Sequence, residues 1–167
     1  MLGEIYSKNF KIRSINPISD DLSNYLQWMR DEKLNKFILS VNKDMTLDSL
    51  SNYITEKNEK SDCLLLGIFE ISTGKHIGNI KLEPILKNSS ATLGILIGNP
   101  EFRGKGFGLE IINQVCKFAK INLSLKKIDL GVDIRNTSAV KLYLKCGFKL
   151  INNLSENGSL RKMEIFL

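Results

Sequence analysis

The chain has 167 residues, 43% apolar and 25% charged, with a formal charge of +6. That length holds one domain with a real core. No run of about 18 apolar residues exists, which excludes a helix spanning a membrane. The lysines are scattered, with no basic run interleaved with aromatics and no nucleic-acid motif. The charge therefore points to an anionic small molecule rather than to nucleic acid.

The N-terminal stretch MLGEIYSKNFKIRS places Glu4, Lys8 and Lys11 where a signal peptide needs apolar residues, so a cytoplasmic protein is expected. Residues 9–15 (NFKIRSI) alternate loosely and predict an edge strand. Ser19 is the expected N-cap of a first helix, with Asp20 and Asp21 in its opening turn and Leu22, Tyr25, Leu26 and Met29 at helical spacing in a run extending to Ile38. Thr46 caps a second helix, with Leu47, Leu50 and Ile54 on one face. Residues 63–71, 76–85 and 91–99 predict a three-stranded meander, with a hairpin turn at Gly74 and a register slip at Gly78. His76, beside that turn, reads as a surface histidine rather than a catalytic one.

The pattern then changes. The stretch NPEFRGKGFGLEII (99–112) is followed by Leu109, Ile112, Val115, Cys116 and Ala119 at helical spacing. Residues 126–134 predict a strand. Ala139, Leu142, Tyr143 and Cys146 predict a short helix ended by Gly147, and two strands close the chain, residues 148–153 and 161–167. Antiparallel strands first and strand–helix crossovers later give a mixed α/β (α+β) sheet. Cys63, Cys116 and Cys146 stand singly in apolar stretches and form no CxxC pair, so they read as buried reduced thiols and no metal site is expected.

The glycine loop suits a pyrophosphate. A helix N-terminus leaves about four N–H groups without partners and carries about half a positive charge. Gly104, Gly106 and Gly108 keep the backbone bare, and Arg103 and Lys105 add charge. A P-loop is ruled out because Lys105 is followed by Gly106 and not by a hydroxyl residue. A dinucleotide fold lacks its third glycine in register, and the acid that ends the next strand, Asp133, lies about 30 residues on rather than the required distance of about 20.

The pair RGKGFG (103–108) and DIRNTSAVKLYLKCGF (133–148) resembles the GNAT superfamily of acetyl-CoA-dependent N-acetyltransferases. The resemblance covers most of the chain in element order and is sharp over residues 91–148. It implies a single acetyltransferase domain over 1–167, with a central, mostly antiparallel, splayed sheet flanked by helices. It further implies that the amides of Gly104, Lys105, Gly106, Phe107, Gly108 and Leu109 hold the pyrophosphate of acetyl-CoA, beside Arg103. Leu96, Ile97 and Gly98 would pair with the pantetheine arm, and a splay against residues 130–134 would admit it. Asn136 would bond the pantetheine amide region. Tyr143 would protonate the departing thiolate.

The chemistry asks for the same parts. An attacking amine must be neutral, the tetrahedral oxyanion wants a backbone N–H, and the thiolate wants an acid within reach. The base is open. The position of the glutamate used by ribosomal-protein alanine acetyltransferases of this superfamily is Gly131 here. Asp133, on the same strand face, and Glu83, on the meander, are the candidates, against a plain reading of both as structural carboxylates. YLQWMRDEKLNKFI and HIGNIKLEPI resemble a branch met among acetyltransferases of amino sugars, often nucleotide-linked, and of ribosomal-protein N-termini. Trp28 and Arg30 would then line the acceptor side, with packing as the plain alternative for Trp28. Direct attack in a ternary complex on a small-molecule amine is the first expectation, a protein N-terminus the second. A non-catalytic acyl-CoA-binding module is the reading from another class. No nucleic acid or membrane partner is expected, and a homodimer is compatible with the late strands.

Overall fold

A computed structural model describes residues 3–37, 44–153 and 158–167. Its strands are β1 (Ile5–Tyr6), β2 (Phe10–Ser14), β3 (Leu64–Glu70), β4 (His76–Leu86), β5 (Ser90–Ile97), β6 (Lys127–Asp133), β7 (Lys149–Asn153) and β8 (Leu160–Phe166). The helices are α1 (Ser23–Arg30), α2 (Leu47–Glu59), α3 (Phe107–Asn122) and α4 (Thr137–Lys145). The strands form one sheet in the order β1-β2-β3-β4-β5-β6-β8-β7, antiparallel except where β5 meets β6. This is the mixed, mostly antiparallel sheet that the sequence predicts.

Period-two burial sends each strand's side chains to two cores. On one face Phe10, Ile12, Leu66, Ile68, Ile80 and Leu93 pack against Ile111, Val115 and Phe148. On the other, Cys63 and Leu65 meet Tyr25, Leu26, Leu50 and Ile54 of α1 and α2. Each fully buried Leu or Ile contributes about 1.5–3 kcal/mol, which is what fastens these short helices. The three cysteines are buried free thiols, and burial raises the Cys116 thiol to about 12.

Several expectations need correction. The strand at 9–15 is not an edge, because Ile5 and Tyr6 pair with Ile12 and Lys11 outside it. Ser19 does not cap α1. The helix starts at Ser23 with Leu22 at the N-cap position and no side-chain cap, while Asp20 instead accepts from Arg13 and from the Asn16 amide. The helical run breaks at Asp31 and resumes as one 3₁₀ turn, Leu34–Phe37. Its end, at Ile38, lies outside the described residues. Leu47 is half exposed, whereas Leu50 and Ile54 are fully buried, so the packed face of α2 begins one turn later. The Thr46 cap is as expected: its hydroxyl accepts from the Ser49 amide and Ser49 returns the bond. Near Gly78 the β3–β4 pairing shifts by one residue, as the alternation suggests.

One feature of the sheet positions the site. β5 and β6 pair only at Ser90–Lys127, Ala91–Ile128 and Thr92–Asp129. β6 stays paired with β8 along its whole length, while β5 follows β4. The two strands therefore part beyond Thr92. Ile95, Leu96 and Ile97 are only half-buried in the middle of an eight-stranded sheet, and their ladder groups on that side lack a neighbouring strand.

Candidate active site

The glycine loop lies just past the open end of β5. Asn99 starts it, its side chain accepting from the Glu101 amide at 2.9 Å and its own amide donating to Ile77 at 3.0 Å. Pro100–Phe102 form one 3₁₀ turn, and α3 begins at Phe107. Gly104 and Gly106 have φ of 70° and 82°, left-handed backbone that strains any L side chain. The N-cap residue of α3 is Gly106, with no side-chain cap. Among the described residues the amides of Gly104, Lys105 and Gly106 find no acceptor. Phe107 and Gly108 follow as the first turn of the helix, whose leading amides have no intrahelical partner by construction.

Side chains stake the loop at both ends. The rings of Phe102 and Phe107, on either side of the glycines, meet Phe10 at 6.2 and 5.1 Å, edge to face. Glu110, in the first turn of α3, accepts from the amide and side chain of Asn9 at 2.8 and 2.7 Å. Gly108 lets α3 approach α4: a Cβ there would stand 2.7 Å from Leu142 Cδ2. A cleft of about 450 Å³ opens beside the loop, lined by Glu70, Thr73, Lys75, Glu101, Lys105 and Phe107. Leu109 is half-buried against the core.

Arg103 does not hang free over the loop. Its Nε donates to the Ile97 carbonyl at 2.8 Å and its guanidinium also reaches the Gly98 carbonyl. It clamps the end of the strand that is expected to pair with the cofactor arm. Lys105 is exposed on the loop. Behind the strand, Trp28 is buried, and a Cβ on Gly98 would overlap its ring. Trp28 thus backs β5 and does not face open space. Arg30, also expected on the acceptor side, donates from Nε to the Met45 carbonyl at 2.8 Å and ties the end of α1 to the start of α2.

His76 is the clearest reversal. It is 7% exposed, stacked on Phe69 at 4.7 Å and edge-on to Trp28 at 5.1 Å. Nε2 faces two acceptors, the Gly78 carbonyl and Asn79 Oδ1, which fixes the proton there. Burial lowers its pKa against those two hydrogen bonds.

Across the splay, Asn136 caps α4, Oδ1 accepting from the Ala139 amide at 3.2 Å and from Ser138 Oγ at 3.0 Å. Its side-chain NH₂ has no partner among the described residues. Tyr143, about two turns on, is 8% exposed, its ring 5.9 Å from Phe148. Burial, and then the nearby Cys146 thiol, push its hydroxyl up to about 12. It therefore holds its proton throughout the neutral range, and among the described residues that hydroxyl makes no hydrogen bond.

Both candidate bases are committed to cations. Arg135 folds back on Asp133, Nε to Oδ1 at 2.9 Å and Nη2 to Oδ2 at 2.5 Å, holding that carboxyl at about 2. Burial alone would raise Glu83, but hydrogen bonds from Lys57 at 2.6 Å and Lys81 at 2.7 Å outweigh it and bring it to about 2. A carboxylate that acidic accepts a proton poorly at neutral pH. Because Glu83 falls from 4.5 to about 2 on folding, its share of stability is complete above about pH 4.5 and is lost as pH drops toward 2. The denaturation midpoint should accordingly fall more steeply between about pH 5 and 3 in the wild type than in Glu83→Gln. Parallel profiles would refute the pairing.

Among the described residues no cluster of His, Cys, Asp and Glu is arranged to hold a metal ion, and no helix is long and apolar enough to cross a membrane.

Comparison with known proteins agrees with this geometry. Residues 13–149 match the model of the acetyltransferase (GNAT) domain family. The spermidine N(1)-acetyltransferase of Vibrio cholerae is 27% identical over 139 residues, 82% of this chain and 72% of that protein. The crystal structure of spermidine N-acetyltransferase from Vibrio cholerae with CoA and spermine superposes with a TM-score of 0.83 at 25% identity over 95% of both chains. RimL, a ribosomal L7/L12 alpha-N-protein acetyltransferase solved with coenzyme A, shares the fold at a TM-score of 0.84 and 12% identity, over 99% of this chain and 98% of that one. The chain therefore belongs to the GNAT acetyltransferase family as an N-acetyltransferase acting on amines.

Proposed function

We propose that this enzyme moves the acetyl group of acetyl-CoA to the primary amine of a small molecule, an amino sugar, free or nucleotide-linked. The observation that carries the cofactor reading is the run of unpartnered amides at Gly104–Gly106 at the mouth of the gap between β5 and β6. The loop amides from Gly104 to Gly108 take the pyrophosphate; the Leu109 amide, expected to join them, donates instead to the Gly106 carbonyl at 3.1 Å. The arm lies along Leu96, Ile97 and Gly98 as an added strand, with the Asn136 NH₂ on its far side. In this reading the thioester carbonyl lies near the floor of the splay, where β5 and β6 part.

The chemistry follows from charge and proton positions. A neutral amine nitrogen attacks the thioester carbon, and a main-chain N–H of β5 takes the negative charge that develops on oxygen. The new C–N bond forms as the C–S bond breaks, and Tyr143 gives its proton to the sulfur. Water carries off the proton lost by the nitrogen, since Asp133 and Glu83 are too acidic to hold it.

The test is an isothermal titration with acetyl-CoA, then thiol release over a panel of amino sugars, nucleotide-linked amino sugars, polyamines and peptide N-termini, with mass spectrometry of the product. Saturable binding and release with an amino sugar are expected. Binding without release from any amine would support a carrier module, and release with peptides alone would support N-terminal acetylation.

A further inference from the structure

We infer that the acceptor amine carries a phosphate ester and that Lys57 and Lys81 hold it, a statement that rests on the acetyl-transfer reading above. The ground beside the thioester is open at Gly94 of β5, where an added Cβ would meet nothing within 4 Å. Gly94 pairs directly with Lys81 of β4, so both sit on one face of the sheet. It is the face covered by α2, from which Lys57 reaches down.

The two lysines share one carboxylate. Lys57 Nζ is 2.6 Å from Glu83 Oε1 and Lys81 Nζ is 2.7 Å from Oε2. Their side chains are 12% and 33% exposed. Lys60 stands 4.0 Å from the same carboxylate, though its nearer partner is Glu56 at 2.8 Å. Two ammonium groups on one carboxylate leave a surplus positive charge, half-buried and therefore weakly screened. An ammonium has three N–H donors, and each lysine gives only one to Glu83. Donors and charge remain for an anion with several acceptor oxygens, which describes a phosphate ester.

Among the described residues, the strand carboxylates of this face are already paired. Asp129 already accepts from Thr92 at 2.7 Å and pairs with Lys162 at 3.2 Å. Asp133 is held by Arg135 and Glu164 by Lys127 at 3.0 Å. Every carboxylate on β4, β6 and β8 of this face, among the described residues, already has its cation. A polyamine would meet like charge at Lys57 and Lys81, beside strand carboxylates that already have their cations.

The experiment compares kcat/KM for glucosamine, glucosamine 6-phosphate, a uridine-diphosphate amino sugar with a free amine, and spermidine, in the wild type, Lys81→Ala and Lys81→Arg. The phosphorylated acceptors should exceed glucosamine by about tenfold or more, through KM, as one charge-assisted contact predicts. The preference should shrink to about threefold or less in Lys81→Ala, recover in Lys81→Arg, and weaken with added salt. The monoester and nucleotide arms separate the two sources of phosphate. Equal rates for glucosamine and its phosphate, spermidine as the best acceptor, or an unchanged preference in Lys81→Ala would overturn the inference. In each of those cases a normal acetyl-CoA titration leaves the acetyl-transfer reading standing; failure of that titration would sink the reading itself. A thermal melt of each variant separates lost folding from lost recognition.

Discussion

Gly106→Glu should abolish acetyl-CoA binding. The wild-type backbone at 106 has φ of 82°, where a non-glycine residue costs about 1–2 kcal/mol. The added carboxylate would also stand where two phosphates are to sit. Like charges at about 4 Å repel by about 4 kcal/mol at an effective dielectric of 20. The strain is worth about fivefold to thirtyfold and the repulsion several hundredfold, so together they should exceed about a hundredfold. Titration calorimetry checks this, with circular dichroism to show that the fold survives. The survival is reasonable, because a Cβ at 106 meets nothing within 4 Å and the phenylalanine contacts that stake the loop lie on either side. Unchanged affinity would mean that the phosphates lie elsewhere.

Tyr143→Phe has the second large effect, and it falls on turnover instead. The hydroxyl makes no hydrogen bond among the described residues, so its removal leaves no partner stranded and the ring keeps its packing against Phe148. The melting temperature and the acetyl-CoA Kd should stay close to wild type. What is lost is the proton for the departing sulfur. General acid catalysis contributes about 10²–10⁴ in rate, so kcat should drop by about a hundredfold with a good amine. A poorer thiol leaving group would deepen the defect and a better one would relieve it. Turnover at the wild-type level would remove Tyr143 from the reaction.

The glycine loop and the short helix that carries Tyr143 were readable from sequence because their signals are local. The loop announces itself through three glycines spaced by Arg103, Lys105 and Phe107 immediately before an apolar helical run. Tyr143 lies on a helix whose cap, Asn136, is seven residues upstream. The meander was legible for the same reason: the strand-like apolar run over 63–71 and the alternation over 76–85 need no distant partner to interpret.

Most of the differences concern distance. His76 looks like a turn residue until Trp28, Phe69 and Tyr25, two of them about 50 residues away, close around it. Residues 9–15 look like an edge because the true outer strand is two residues long, too short to show a period. Glu83 was a candidate base because its cation from α2 is 26 residues away along the chain. Asp133 was different. Its cation, Arg135, is only two residues on, and the pair was within reach of a closer reading. Trp28 packs, as its plain alternative had it, through an equally remote contact. Its neighbour Gly98 is 70 positions later, and only the fold reveals that the ring fills the space a side chain would need.

The parted strands have a mechanical consequence. Main-chain bonding between the two halves of the sheet amounts to three rungs at one end. Elsewhere the seam is closed only by side chains packed beneath it. An acyl carrier lying in the gap would add the missing rungs and so become a temporary member of the sheet. Its occupancy should then be felt well beyond the reacting atoms, as slower amide exchange on both banks and a higher unfolding temperature whose rise tracks ligand concentration.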